Sequence, residues 1–473
     1  MATGSSLALS TPTSPTEGDR LTFHWSTDTP DATNWVGVYD GDRQPGTGSS
    51  LLWKYTPAAS GDLTLDTSAL TGGPYTAYLL AKDGYGILAK SAPFSFRSKP
   101  AVVAPHSAVD ALTATPVAPG GQVRVTLAGL WSRPAGNPAG SATFRRVGGD
   151  SWLSVSTDGT VSGTAPATAQ SRPAVITVGV KDSAGATDTV TVQVPVLDPA
   201  AKKLPVKVAS WNLWDAGTHS TDGREKQLRT ILTQGWDVVA LQETAGTNAQ
   251  ALADALGWYA YQSAGSVGVL SRYPLTAVTP VTAALPAAGV TVQLPGGRSL
   301  RVWAAHLDEN GYGPYAFQDG QSAAQLLAAE SGSLRHQQAQ ALAAAIKAEP
   351  KGPLVVAGEL SSPSHLDWTV ATRGTALDWP VTEALQAAGL TDSFREEHPD
   401  PAAFPGATWS PVRKQRGAKP EPQDRIDYVL YAGKGLTMRE AHVIATGWPA
   451  TDPNTTANGW PSDTAAAVAT FTL

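Results

Sequence analysis

The sequence has 473 residues, a formal net charge of −6 at pH 7, 16% charged residues and 42% hydrophobic residues. This composition excludes a chain that is disordered throughout, and the acidic balance argues against general coating of nucleic acid. Cysteine is absent, so disulfides and thiolate metal sites are excluded, and any metal must bind to oxygen or imidazole. The length favours about three domains, and no apolar run is long enough to span a bilayer.

Residues 1–98 alternate short β-rich runs with Gly-Asp, Gly-Gly-Pro and Asp-Gly turn signals. This pattern predicts an antiparallel β-sandwich. The clearest strands are Leu21–Trp25, Trp35–Tyr39 and Tyr75–Leu80. Because aromatic side chains supply much of the core of a small sandwich, we expect core or inter-sheet positions, rather than a ligand-binding face, for Trp25, Trp35, Trp53 and Tyr55.

Residues 99–200 form a second β-rich segment. Its first part, from Ser98 to about Ala108, contains two prolines and predicts a stiff linker. Alternation over Gln122–Leu127 and Asp188–Val194 indicates half-buried strands. Trp152–Val155 and Asp158–Thr164 predict a hairpin with an Asp-Gly turn. This segment resembles the immunoglobulin-like repeats found beside bacterial extracellular catalytic domains.

Two β-modules in front of a larger domain are common on exported hydrolases, so we expect a secreted protein. The first residues, Met1–Ser5, have neither the basic start nor the apolar core of a signal peptide. The β-modules are expected to bind cell-surface or extracellular material.

Residues 201–473 alternate strands with helices, which predicts an α/β sandwich of two sheets flanked by helices. The predicted strands are Val206–Trp211, Val238–Leu241, Ser266–Leu270, Leu300–Ala305, Leu354–Ala357, Ile426–Tyr431, Glu440–Ile444 and Ala466–Phe471. The predicted helices are Arg224–Gln234, Ala249–Leu256, a long helix that Ser331 or Ser333 caps and that ends near Ala348, and Val381–Ala388.

Polar side chains recur at the ends of these apolar strands. They are Asn212, Gln242, Glu243, His306, Asp308, Glu359, Ser361, Asp424, Arg425, Asp427, Ser462, Asp463 and Thr464. One such residue would be a cap or a turn residue. Several sets in one domain predict a crevice, because strand ends converge in folds of this kind.

The motifs around these residues carry a family resemblance. In order, residues 205–473 contain SWNLW, VVALQET, GVLSRYPL, AAHLDE, VVAGELSSPSHLDW, GATWSP, DRIDYVLY and PSDT. As an ordered set they resemble the endonuclease/exonuclease/phosphatase superfamily, which includes DNase I-like nucleases, sphingomyelinases and inositol-phosphate phosphatases. The resemblance implies a four-layer, DNase I-like α/β sandwich that hydrolyses phosphoesters. The predicted fold class is therefore two all-β immunoglobulin-like sandwiches (1–98 and 99–200) followed by this domain (201–473).

The resemblance also implies roles for the strand-end residues. Asn212 and Glu243 would hold a divalent metal with Asp463 nearby, Mg²⁺ being the expected ion and Mn²⁺ or Ca²⁺ the alternatives. His306 matches the histidine that contacts the phosphate. Asp427 matches the carboxylate that orients the catalytic histidine.

Four further residues are candidates for contact with substrate. Arg425 would either help to place substrate or pair with Asp424 on the surface. Trp409 would stack on a leaving group or pack in the core. The other two candidates are Asp308 and His365, and His365 could alternatively cap the following helix.

Three positions depart from the family pattern. The usual Gly-Asp-Phe-Asn is here Gly358-Glu359-Leu360-Ser361, and the usual Ser-Asp-His is Ser462-Asp463-Thr464. Glu359 lengthens the carboxylate by a methylene, and a displacement of about 1 Å can lower a rate roughly a hundredfold. Ser361 lacks the amide donor of asparagine. Thr464 cannot take a proton from water near neutral pH, a contribution typically worth about 10²–10⁴-fold.

These departures leave three functions open. The first is a hydrolase in which the metal activates water and Glu359 acts as base, with His306 or His365 as substitutes. The second is a pseudoenzyme that binds a phosphorylated or anionic ligand, and the third is another reaction on the same scaffold. A small-molecule or lipid phosphoester is the expected substrate, and nucleic acid is not favoured.

The stretch from Glu309 to Gly332 is long for a connection and contains Tyr312, Tyr315 and Phe317 among glycines. It predicts either a lid over the substrate or a loop that covers the sheet edge.

Overall fold

The computed structural model describes residues 4–41, 43–97, 105–133, 141–198, 203–447 and 449–473. These residues divide into two compact units. The first holds the described residues of 1–104, 445–450 and 454–460, and the second holds those of 105–444, 451–453 and 461–473. The predicted boundaries near 98 and 200 fall at residues outside the described ranges and stay a prediction. Within the described ranges, no helix combines the length and the apolar character needed to cross a membrane.

The first unit is built of antiparallel strands. They are β1 (Ser6–Thr11), β2 (Leu21–Ser26), β3 (Trp35–Asp40), β4 (Leu52–Tyr55), β5 (Ser60–Leu65), β6 (Tyr75–Ala81) and β7 (Gly86–Lys90). One sheet has the order β1-β2-β5 and the other the order β4-β3-β6-β7. Phe23, Leu63, Val36 and Leu79 belong to one buried core to which both sheets contribute. The all-β prediction is confirmed, and the immunoglobulin-like assignment stays a prediction.

The aromatic residues of this unit do not all pack as expected. Trp25 and Trp35 are buried, in agreement with the prediction. The prediction is wrong for Trp53 and Tyr55, which are 54% and 45% exposed. They lie on β4 opposite Gly37 and Trp35 of β3, so their rings stand on one face of the sheet. Core packing in this unit therefore relies on the aromatic side chains of the inner strands.

The described part of residues 105–198 is also all-β. Its strands are β8 (His106–Ser107), β9 (Ala111–Thr113), β10 (Gln122–Thr126), β11 (Trp131–Ser132), β12 (Ala142–Gly149), β13 (Leu153–Val155), β14 (Thr160–Thr164), β15 (Ala174–Asp182) and β16 (Thr187–Val194). The predicted hairpin is confirmed, since β13 and β14 pair antiparallel. The linker prediction is wrong at its C-terminal end, because β8 pairs with β11.

The C-terminal part carries the predicted alternation of strands and helices. Its strands are β17 (Pro205–Asn212), β18 (Val238–Gln242), β19 (Tyr259–Gln262), β20 (Gly268–Ser271), β21 (Leu275–Thr279), β22 (Ala287–Leu294), β23 (Arg298–His306), β24 (Leu354–Glu359), β25 (Thr391–Asp392), β26 (Gln415–Arg416), β27 (Lys419–Pro420), β28 (Asp427–Ala432), β29 (Thr437–Ile444) and β30 (Ala466–Thr472). The helices are α1 (Trp214–Gly217), α2 (Gly223–Gln234), α3 (Asn248–Leu256), α4 (Gly313–Gln318), α5 (Ala323–Ser331), α6 (Leu334–Ala348), α7 (Val370–Arg373), α8 (Pro380–Gln386) and α9 (Ser393–Glu397). Ser333 caps α6 by accepting the amide of His336, whereas Ser331 ends α5.

Two sheets face each other in this part. Their orders are β19-β20-β18-β17-β30-β29 and β21-β22-β23-β24-β28-β25. Alternate residues of both, such as Val208, Val238, Val302 and Val355, form one buried core. The opposite face of the second sheet packs on α6 and α8, and α3 packs on β19 and β20 of the first. The predicted four-layer, DNase I-like sandwich is confirmed.

The β-segment 105–198 is joined to this sandwich through a buried ion-pair group. The Glu225 carboxylate of α2 accepts hydrogen bonds from Ser132 at 2.5 Å and from Arg229, and it pairs with His106 at 2.9 Å. Arg229 also donates to the Ala108 carbonyl at 2.9 Å. Burial alone would raise the pKa of Glu225, but its bonds with His106 and Arg229 outweigh burial and lower it.

We expect Glu225→Ala to destabilise the second unit by about 1–3 kcal/mol, since it leaves the half-buried donors Ser132, His106 and Arg229 without their acceptor. Because the folded-state pKa of Glu225 lies below its ordinary value, its contribution is present at neutral pH and is lost as pH falls through the folded pKa. In denaturant unfolding at pH 7, the free energy of unfolding of Glu225→Ala should lie below that of wild type. This difference should become smaller as the pH falls. The exposed residue Glu383 supplies the control Glu383→Ala, and equal stability of the two variants would contradict the prediction.

Candidate active site

Strand pairing brings the predicted polar residues to one edge of the sandwich. β17 and β18 are parallel, with Asn212 opposite Gln242, and β23 and β24 are parallel, with His306 opposite Glu359. β24 then pairs antiparallel with β28, which sets Glu359 opposite Asp427. Because both parallel pairs end at this edge, side chains from the two facing sheets meet there.

The Asn212 amide is the centre of the group. Its Nδ2 donates to Glu243 Oε1 at 2.8 Å and to Glu359 Oε2 at 2.6 Å. Its Oδ1 accepts the backbone N–H of Trp214 at 2.7 Å, which fixes the orientation of the amide. One neutral side chain therefore holds two carboxylates, one from each sheet, next to each other.

Glu243 is held in place by its own backbone. It has a positive φ of 53°, and its N–H donates to Ser266 Oγ at 3.0 Å. Its Oε2 accepts the N–H of Asp215 at 2.9 Å. Trp214, Asp215 and Ala216 also have positive φ. Consecutive non-glycine residues in this region cost free energy and are typically found at functional sites.

His306 completes a group that could bind a cation. Ligand atoms of Glu243, His306 and Glu359 all lie within 4.8 Å of one another. Ser266 Oγ and His306 Nδ1 are 2.5 Å apart, so Nε2 is the ring nitrogen left for a ligand. Ser361, with a positive φ of 51°, donates to the Leu307 carbonyl at 3.1 Å, and its Oγ lies 3.4 Å from Glu359 Oε1.

Burial raises the pKa of three carboxyl groups in this site. Glu359, Asp427 and Asp463 are 6%, 0% and 4% exposed. Burial raises the pKa of Glu359. Burial and the charge of Glu359 raise the pKa of Asp427 well above its usual range, and the Thr408 hydroxyl offsets part of this rise. Burial raises the pKa of Asp463 to about 7, against the opposing effect of Arg413. So much buried acid in one place favours a bound cation.

Asp427 is the clearest sign of a missing partner. Among the described residues, neither of its carboxylate oxygens has a hydrogen-bond partner of good geometry. Thr464 does not supply one, because its hydroxyl lies 3.3 Å from Asp463 Oδ1. Buried acceptors are almost always satisfied in folded proteins, so this carboxyl group has a use that the folded chain alone does not show.

The sequence did not single out Arg413, which the structure places at the acidic cluster. Its Nε donates to Asp463 Oδ2 at 3.1 Å. Its guanidinium carbon lies 5.6 Å from the ring centroids of both Trp214 and Trp409. The arginine is therefore held between two indole rings beside the carboxylates. The available signal was its position two residues beyond the GATWSP motif.

Several candidates for substrate contact lie outside the cluster. Arg425 is buried and forms ion pairs with Asp367 and Asp392, so the predicted surface pair with Asp424 is wrong. Asp424 pairs instead with Arg373. His365 hydrogen-bonds Thr382 and Gln386 of α8, and Asp308 accepts the Asn310 amide. Contact of His365, Asp308 and Arg425 with substrate stays a prediction.

Trp409 and the 309–332 stretch line a cavity beside the cluster. The cavity has a volume of about 790 Å³, and Glu359 and Ser361 are also in its wall. The stretch is not an irregular loop, since it contains α4 and α5. It therefore forms a wall of the cavity rather than only covering a sheet edge.

The donor set is a candidate site for a divalent cation. Glu243, His306 and Glu359 supply carboxylate oxygens and one imidazole nitrogen in one group. The prediction that Asn212, Glu243 and Asp463 hold the metal stays a prediction. In the structure Asn212 donates to the two glutamates, and Asp463 pairs with Arg413.

Part of the chain is similar to known proteins. Residues 209–463 match the Endonuclease/Exonuclease/phosphatase family. Uncharacterized protein F14F9.5 of Caenorhabditis elegans is 32% identical over 289 residues, which cover 57% of this chain and 91% of that protein. A solved endonuclease/exonuclease/phosphatase from Beutenbergia cavernae is 19% identical, with a TM-score of 0.36 over 57% of this chain and 72% of that one. A family protein from Bacteroides thetaiotaomicron is 13% identical, with a TM-score of 0.38 over 57% and 98%.

Two facing sheets with carboxylates and a histidine at their strand ends define a DNase I-like protein. The chain belongs to the endonuclease/exonuclease/phosphatase family, because the matched residues make up more than half of its length.

We expect Asn212→Asp to replace the donor between two glutamates with a third carboxylate. The variant should unfold at a lower temperature than wild type in EDTA, because like charges then face each other. Mg²⁺ or Mn²⁺ should recover most of the loss, giving a larger ion-induced shift than in wild type. Differential scanning fluorimetry measures both shifts. Asn212→Ala is the control, and an equal ion response in the two variants would refute the prediction.

Proposed function

We propose that the C-terminal domain hydrolyses phosphoesters with the help of a divalent cation. The observation that carries this proposal is the convergence of Glu243, His306 and Glu359 within 4.8 Å, in a chain of the endonuclease/exonuclease/phosphatase family. Glu243, His306 and Glu359 would hold the ion, most simply Mg²⁺, with Mn²⁺ or Ca²⁺ as alternatives. When bound, such an ion stabilises charge on phosphoryl oxygens and lowers the pKa of water.

Asp463 is assigned the role of the general base, which accepts a proton from the attacking water. Thr464 occupies the position of the family histidine and cannot accept a proton near neutral pH. Asp463 lies outside the cation group, and burial raises its pKa to about 7, which suits a general base at neutral pH. The oxygen of water then bonds to phosphorus while the ester bond breaks, and the proton leaves with the alcohol product.

Arg413 is assigned to the phosphate. One of its nitrogens donates to Asp463, and the flanking rings of Trp214 and Trp409 hold the guanidinium plane. Its other N–H groups can donate to phosphoryl oxygens that gain charge in the transition state. This would compensate for the loss of the histidine at position 464 and of the amide at Ser361.

A second candidate function is binding without turnover. It is favoured by Asp427, whose carboxylate lacks a good hydrogen-bond partner among the described residues, as expected if its family partner is lost. Such a protein would bind a phosphorylated or anionic ligand at the same cation.

Release of p-nitrophenol from bis(p-nitrophenyl) phosphate tests the first function. Wild type should be active with Mg²⁺ or Mn²⁺ and inactive in EDTA, and Glu243→Ala should fall to the uncatalysed rate because a cation ligand is lost. Absence of turnover in wild type, with an ion-induced rise in melting temperature, would favour the binder. In that case, Thr464→His, Ser361→Asn and Glu359→Asp together should create activity.

We expect Arg413→Ala to lower kcat/KM about 10²–10³-fold, since it removes a charged donor at the transition state. Arg413→Lys should retain a kcat/KM between those of Arg413→Ala and wild type, because lysine lacks the planar guanidinium group with its paired donors. The ion-induced rise in melting temperature should stay as in wild type, which separates this effect from loss of the cation site. Arg439→Ala, at an exposed arginine of β29, is the control. An Arg413→Ala rate within a few-fold of wild type would exclude the assigned role.

A further inference from the structure

The cavity beside the acidic cluster has a defined chemical character. Besides Glu359 and Ser361, its wall includes Tyr312, Tyr315 and Trp409. At about 790 Å³ it is large enough for the alcohol portion of a phosphoester. The charge and polarity of its wall therefore bear on which alcohol is accepted.

The wall is fastened to the rest of the domain. Tyr312 Oη donates to Asp424 at 3.0 Å and Tyr315 Oη donates to Glu421 at 2.6 Å. Asp319, at the end of α4, pairs with Arg416 and with Lys419. These bonds tie the 309–332 stretch to residues 416–424 at several points, so the cavity is preformed.

The aromatic side chains offer ring surface rather than hydrogen-bonding groups. The hydroxyls of Tyr312 and Tyr315 are occupied by Asp424 and Glu421. Trp409 Nε1 also donates to Glu421, at 2.8 Å. With their polar tips bonded elsewhere, these rings give an apolar wall, which Leu326 and Ala329 extend.

The arginine in the wall of this cavity, Arg335, is already paired with Glu330. Arg335 is 1% exposed, and all five of its N–H donors are used by Glu330 and by the carbonyls of Asp308, Asn310 and Gly311. Arg416 donates to both carboxylate oxygens of Asp319. Arg416 and Lys419 together carry one more positive charge than Asp319 balances, but neither of them lines the cavity.

Glu309 leaves the wall with an excess of negative charge. It is exposed, and within the described part of the chain its carboxylate has neither an ion pair nor a hydrogen bond. It lies in the same cavity wall as Glu359. A second anionic group on the substrate would meet this carboxylate without a compensating cation.

We propose that this cavity binds an uncharged, apolar ester group next to the phosphate and rejects substrates with a further anionic group. The proposal rests on the proposed function, since it assigns the phosphate to the neighbouring cluster. Arg413 and the cation hold one phosphate, the rings of Tyr312, Tyr315 and Trp409 receive the ester group, and Glu309 selects against charge. Polynucleotides and multiply phosphorylated sugars are thereby disfavoured.

Two ligands that differ by one carboxylate test the selection against charge. Phenyl phosphate and 4-carboxyphenyl phosphate are titrated into the full chain with Mn²⁺, and Kd is measured by calorimetry. Wild type should bind phenyl phosphate on the order of tenfold more tightly. Glu309→Gln should reduce this ratio and Glu309→Lys should bring it to one or below. Glu383→Lys, at an exposed residue outside the cavity wall, should keep the wild-type ratio.

Inorganic phosphate separates the two proposals. Phosphate binding that needs Mn²⁺, together with equal affinity for the two aryl ligands, would overturn the selection by charge and leave the proposed function standing. An unchanged ratio in Glu309→Lys would also overturn it. Absence of Mn²⁺-dependent binding by inorganic phosphate would sink the proposed function, and the cavity proposal with it. Trp409→Ala should weaken phenyl phosphate more than inorganic phosphate, and equal weakening would refute the apolar wall.

Discussion

The Asn212 amide, with one hydrogen bond to Glu243 and another to Glu359, is the interaction on which the site depends. Two carboxylates from facing sheets would otherwise repel each other in a region with little water. A neutral donor reduces that repulsion, and the Asp215 N–H donates to the second oxygen of Glu243. The strand register and the orientation of the amide by the Trp214 N–H explain why ligand atoms of the two acids lie within 4.8 Å of each other.

Much of this architecture was readable in the sequence, because strand and motif order constrain a sandwich strongly. The apolar runs before Asn212, Glu243, His306 and Glu359 each predicted a strand, and the observed pairing brings their ends together. The sequence did not show which charged residues pair with each other. Nothing in the spacing showed that Asp463 would pair with Arg413. Nor did it show that Arg425 would form ion pairs with Asp367 and Asp392. Those pairings are set by side-chain contacts between segments far apart in the chain.

Each incorrect prediction has its own physical cause. Trp53 and Tyr55 looked like core residues because aromatic residues usually are, but alternation on an edge strand placed both on the exposed face. The predicted linker ended too late because a two-residue strand such as β8 carries no periodic signal. The 309–332 stretch contains two helices that were not predicted, since glycines and one proline interrupt its pattern.

The group around Glu225 has a consequence for where the enzyme-like part of the chain begins. Arg272 of the sandwich is buried, and its Nη1 donates to the Thr113 carbonyl at 2.6 Å. Gly129 lies so close to Ala255 of α3 that a methyl group there would collide with its backbone. A truncated protein that starts at residue 203 would expose this seam. It would leave Glu225 and Arg229 of α2, and Arg272 just after β20, without these partners. The smallest fragment to express for crystallisation or assay therefore starts near residue 105, ahead of the motifs that identify the family.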